Sequence, residues 1–225
     1  MACPTLWLFI DRDRTLYPSR GITAHPQSKF TEALYPEANA ILDWATTLRE
    51  DATIDLRIAL MTSGSPKSAW RFVEEKGLRC TFEGALPTAT GPKGAWHAAC
   101  LWGLRCPKAR KAGVLAFGDP DYNRSEGLLG KARLMAHLIA MGVPPAHICI
   151  VDDNPKDFEG KQAGARVLVP EWGAGRRTGL GFLSQEACLQ ILNAVPVDRA
   201  QDAIWHLEKW ISATRTLELA PAPAA

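Results

Sequence analysis

Short apolar runs recur along the chain, and most stop abruptly at a glycine, a hydroxyl or an acid. Residues 6–10 end at Asp11, residues 57–61 at Thr62, and residues 114–117 at Gly118 and Asp119. Residues 148–151 end at Asp152 and Asp153, and residues 166–169 form one more such run. Continuous apolar runs of this length suit strands buried on both faces. Between them the period changes. Residues 36–50 carry Ala38, Ile41, Leu42, Ala45 and Leu48 at helical spacing, with Pro36 in the first turn. Ser65 and Pro66 open a second helix that runs to Lys76 and is stopped by Gly77. Further helices are expected over 93–104, over 128–141, from 158 until Gly164 ends it, and over 184–194 and 198–214. Residues 80–83 read as a strand, 17–35 as loop, 103–113 as a basic connector and 220–225 as a disordered tail.

Strands alternating with helices predict an α/β fold, a three-layer α/β/α doubly wound parallel sheet. Area scaling lets a chain of this size bury about 70% of its unfolded surface, enough for one full core. Composition then narrows the function. The balance of 26 Lys and Arg against 24 Asp and Glu leaves a net charge of +2. Such a chain carries no global bias toward nucleic acid or membrane, so charge must act locally. Six cysteines without a C-x-x-C pair suggest neither a disulfide framework nor a structural zinc site. The apolar run 6–10 is too short for a signal core or a membrane span. A cytoplasmic protein is the expectation, with no membrane partner. The five histidines show no ligand spacing and read as structural or surface residues.

In open parallel sheets, ligands bind beyond the carboxyl ends of the strands. Asp11 and Asp13 follow the first run at i and i+2, and Asp152 and Asp153 follow the fourth. If these two strands are neighbours, the four acids converge. At an effective dielectric of about 20, each pair of charges 4 Å apart would repel by about 4 kcal/mol. A hard divalent cation relieves that repulsion, and all-oxygen ligation favours Mg²⁺.

The run 8–10 followed by Asp11, Asp13, Thr15 and Leu16 resembles the first motif, D-x-D-x-T, of the haloacid dehalogenase-like phosphohydrolases. The resemblance covers roughly residues 5–170. It implies Asp11 as the nucleophile forming an aspartyl-phosphate and as a Mg²⁺ ligand. It implies Asp13 as general acid/base, with its backbone carbonyl on the metal, and Thr15 as a loop support. Thr62 would bind the transferring phosphoryl group with the amides of Ser63 and Gly64. Asp153 would be the main further carboxylate ligand, beside Asp152, with Asp157 holding the loop.

The phosphate-site lysine has two candidates. Lys131 precedes the Asp152–Asp153 motif, and Lys93 stands similarly before Asp119; the Ala-Gly turn and apolar strand beyond residue 157 favour Lys131. Asp119 and Asp121 would border the site, since Asp119 follows the apolar run 114–117. Arg12 and Arg14 depart from the family pattern, Arg14 standing where glycine is frequent.

The resulting expectation is a Mg²⁺-dependent phosphatase with a small or absent cap. Residues 1–170 would be the catalytic core with an insert around 84–112, and 171–219 a helical extension. Its substrate would be a phosphorylated small molecule or a nucleic-acid end bearing a 3′-phosphate. The alternatives are a phosphotransferase acting on another acceptor and a non-catalytic binding module on the same fold. The oligomeric state is left open.

Overall fold

The computed structural model describes residues 5–18, 30–51, 54–62, 66–82, 114–116, 131, 139, 143–155, 165–170, 172 and 184–217. Five strands form the sheet: β1 Thr5–Ile10, β2 Asp55–Thr62, β3 Val114–Ala116, β4 Ile148–Val151 and β5 Arg166–Leu168. All pairings are parallel, in the order β3-β2-β1-β4-β5. The chain therefore builds outward from β1 in one direction and then reverses to add β4 on its other side. That reversal opens a crevice between the carboxyl ends of β1 and β4.

Both faces of the central strands are buried, as their unbroken apolar runs require. Leu8 pairs with Ile58 on one side and Cys149 on the other, and Ile10 with Leu60 and Val151. These residues share one face and one core with the helices. Trp7, Phe9, Ala59, Met61, Ile148 and Ile150 alternate onto the opposite face and are buried as well. Each large apolar side chain so placed contributes about 1.5–3 kcal/mol. The α/β class read from the alternation is therefore the architecture found.

Helix α1, Pro36–Glu50, matches its expected bounds and begins with proline at its first turn. Its Ala38, Ile41, Leu42 and Ala45 are buried at the helical period. Helix α2, Pro66–Glu75, ends as glycine at position 77 demands. Gly77 sits at φ +67°, its N–H reaching the Glu74 carbonyl at 3.1 Å and that of Leu78 the Val73 carbonyl at 2.9 Å. This pair of bonds is a Schellman closure, and buried Leu78 completes it.

The strand expected over 80–83 is incorrect: Arg79–Phe82 forms a short helix, α3. Within the sheet, β2 already has β1 on one side and β3 on the other, so it has no free edge to offer. Arg49 instead donates to the Thr81 and Cys80 carbonyls at 2.6 and 3.2 Å, satisfying backbone acceptors that a strand would have paired.

The late helices are α4, Gln185–Asn193, and α5, Ala200–Leu217, close to expectation. Ser184 caps α4 by accepting from the Ala187 N–H at 3.2 Å. Cys188, Leu192, Leu207, Trp210 and Ile211 join the same core as β1 and α1. This part of the extension thus covers the sheet. His206, buried, bonds the Leu192 carbonyl at 2.9 Å and lies beside Trp44, which accounts for it structurally. Lys131 and Ile139 are helical, as expected for 128–141. The other positions of that helix, and the expected helices at 93–104 and from 158, lie outside the described residues, as does the 220–225 tail. No described helix is long and apolar enough to cross a membrane.

Candidate functional site

The crevice between β1 and β4 is lined by the residues just past the end of each strand. The Asp11 N–H extends the β1–β4 ladder to the Val151 carbonyl at 2.9 Å, and the Asp152 N–H extends β4–β5 to Leu168 at 3.0 Å. Both acids are therefore held by the sheet itself. After Asp11 the chain folds tightly: the N–H groups of Leu16 and Tyr17 both donate to the Arg12 carbonyl, at 3.0 and 2.9 Å. Arg14 sits at φ +61° within this loop. That left-handed conformation costs a residue with a side chain about 1–2 kcal/mol, a physical reason for glycine to be favoured there.

Thr15 ties the two loops together. Its hydroxyl accepts from the Asp153 N–H at 3.1 Å, and its carbonyl accepts from the Trp172 indole N–H at 2.9 Å. The result is a convergence of acids: Asp11, Asp152 and Asp153 offer carboxylate oxygens all within 4.8 Å of one another. Lys131 enters the same point, with its side chain 3% exposed. Its ammonium donates to Asp11 Oδ1 at 3.0 Å and to Asp152 Oδ2 at 2.7 Å. The other oxygen of Asp152 accepts from the Asn154 N–H at 2.9 Å.

One ammonium does not balance this set. Burial pushes the Asp11 carboxyl up to about 7, helped by the charges of Asp152 and Asp13 and opposed by Lys131. Asp153 rises to about 6, again through burial first and Asp152 second. Convergent, purely oxygen donors, two of them buried and Asp153 half-buried, whose ionised forms are held at a cost, are a set able to bind a hard cation. Cys149, nearby in β4, is buried in the sheet and its thiol is pushed up to about 12 by that burial, which disfavours its thiolate.

No protein-family model, no curated protein and no solved structure matches this chain. The site therefore has to be read from its own residues. Among the expected site residues, Asp11, Asp152, Asp153 and Lys131 come together. Thr62, buried, ends β2 two residues beyond the Leu60–Ile10 pair, on the strand next to Asp11. Asp13 belongs to the same loop, but its carboxylate is turned to Arg12 and lies outside the acidic triad. Ser63, Gly64, Lys93, Asp119, Asp121 and Asp157 lie outside the described residues.

Sequence reasoning marked Arg12 only as a departure from the family pattern and gave it no role; it is buried and bonds Asp13 and Ser68. Sequence reasoning also missed Trp172, whose indole holds the Thr15 loop.

Proposed function

We propose that the protein is a Mg²⁺-dependent phosphomonoester hydrolase of the haloacid dehalogenase-like kind, working through an aspartyl-phosphate on Asp11. The observation that carries this reading is the meeting of Asp11, Asp152, Asp153 and buried Lys131 at the reversal of the strand order. An acidic cluster with one lysine at that crevice fits a phosphate and its counter-cation better than a neutral ligand.

The chemistry rests on the residues in place. Asp11 and Asp153 would hold Mg²⁺, together with a backbone carbonyl at Asp13; when bound, the ion neutralises charge on the phosphate and the carboxylates. Lys131 holds Asp11 oriented through Oδ1 and is in turn held by Asp152. A carboxylate oxygen of Asp11 attacks phosphorus, the bond from phosphorus to the leaving oxygen breaks, and Asp13 gives that oxygen a proton. Water then loses a proton to Asp13 and attacks the phospho-aspartate, releasing inorganic phosphate and restoring Asp11. Thr62, with the amides after it, donates to the phosphoryl oxygens.

A panel of phosphorylated metabolites with Mg²⁺, extended by a 3′-phosphorylated oligonucleotide, tests the reading. Release of phosphate from at least one class is expected, with a loss of about a thousandfold or more in Asp11→Asn. Activity surviving Asp11→Asn overturns the mechanism. No hydrolysis across the panel, with no heat of Mg²⁺ binding by calorimetry, would favour a non-catalytic binding module instead.

A further inference from the structure

The Arg12 side chain, two residues past the end of β1, is only 4% exposed. It uses its donors on Asp13, Nε reaching Oδ1 and Oδ2 at 3.1 Å and Nη2 reaching Oδ2 at 2.7 Å. Nη1 donates to the Ser68 hydroxyl on α2 at 3.1 Å, and the guanidinium lies 5.5 Å from the centroid of Phe30. Phe30 is itself packed edge-on against Phe72 and Tyr17, and its N–H is held by Glu75 at 3.0 Å. A guanidinium is a rigid planar fork, so these anchors leave it one orientation. Asp13 is less buried than Arg12, its side chain being 35% exposed. A part-exposed carboxylate in the loop after β1 is thereby tied to a fixed plane.

We propose that Arg12 is the positioning residue for Asp13, holding its carboxylate at one place and one rotation for proton transfer to and from the leaving oxygen and water. The inference rests on the phosphatase reading above and deepens it. Arg12 also offsets the charge of Asp13 locally, so that this carboxylate adds less repulsion against an incoming phosphate. The arrangement predicts a defect confined to steps that move a proton. Arg12 touches neither the acidic triad nor Lys131 in the contacts that define the site.

The test compares wild type, Arg12→Met, Asp13→Asn and the double variant on an alkyl phosphate and on p-nitrophenyl phosphate, whose phenolate departs with little need of a proton. Arg12→Met should lower kcat/KM for the alkyl phosphate by about 10²-fold, within the range of general acid–base catalysis. The loss for p-nitrophenyl phosphate should be under about tenfold, with a burst of nitrophenolate as hydrolysis of the phospho-aspartate becomes slow. In the Asp13→Asn background the Arg12 change should add almost nothing. Mg²⁺ affinity by calorimetry should stay within about threefold.

Ser68→Ala, a milder change, should show the same leaving-group selectivity at about threefold. This second variant decides the matter if Arg12→Met does not fold. Equal losses on both substrates, additive effects in the double variant, or a collapse of Mg²⁺ binding would overturn the positioning role while leaving the parent reading intact. A wild-type protein inactive on both esters and on the full panel would overturn both.

Discussion

Lys131 and Arg12 are both buried and both paired with aspartates, yet they sit in opposite electrostatic situations. Lys131 is a point charge shared between Asp11 and Asp152, groups distant in the chain and themselves buried. Asp153 lies in the same cluster, so negative charge exceeds positive there. Arg12 instead meets a single neighbouring carboxylate through a flat two-pronged contact, and that carboxylate reaches solvent. The Arg12 side pairs one cation with one carboxylate; the Lys131 side sets one ammonium among three carboxylates. The Lys131 arrangement offers oxygen ligands that could hold a metal ion, whereas a one-to-one pair fixes a geometry.

The largest expected effect breaks the Lys131 side. Lys131→Met should destabilise the metal-free protein by about 3–5 kcal/mol near neutral pH, because it leaves buried carboxylates uncompensated. Arg12→Met should cost about 1 kcal/mol, since solvent can take over at Asp13. Urea unfolding of both variants measures the difference. Similar losses would erase the contrast.

The second effect is the dependence on pH. Asp11 and Asp153 have raised folded-state values, about 7 and about 6, so the native state retains protons that the unfolded chain has lost. Metal-free stability should therefore fall as pH rises from about 4 to about 7 and level off above. Mg²⁺ must displace those protons, so its affinity should rise by about tenfold per pH unit between about 6 and about 7, where Asp11 alone holds a proton, and more steeply below, where Asp153 holds one as well. Melting temperatures with and without Mg²⁺ should diverge as pH rises. A stabilisation by Mg²⁺ that is equal at pH 5 and pH 7.5 would contradict the assignment of these carboxylates.

Smaller effects test the framework that holds the two loops. Trp172→Phe removes the indole donor from the Thr15 carbonyl and should cost about 1–2 kcal/mol, with weaker Mg²⁺ binding as Asp153 loosens. Gly77→Ala should cost about 1 kcal/mol from backbone strain alone, because an added Cβ meets nothing within 4 Å. Arg14→Gly, at a position of the same hand, should be neutral or stabilising by a few tenths of a kcal/mol. Chemical denaturation resolves all three.

Much of this was legible in local pattern, and specific residues show where legibility stopped. The period of Ala38, Ile41, Leu42 and Ala45 announced α1, and Gly77 announced the end of α2, because both signals are written within a few residues. Residues 79–82 misled because strand and short helix look alike in four residues. The choice fell to which edges of the sheet were taken. The acids after β1 and β4 were visible as acids, but their meeting depended on β4 joining β1 rather than extending beyond β3.

The sequence by itself thus determined the α/β class, the buried strands and the chemical types standing at strand ends, since hydrophobic period and charge are local properties. Only the tertiary structure decided that Lys131 reaches Asp11, that Asp13 turns to Arg12, and that α4 and α5 cover the sheet. Those outcomes depend on burial and distance between residues remote in the chain. Burial is what turns an ordinary lysine or arginine into a residue whose partner matters.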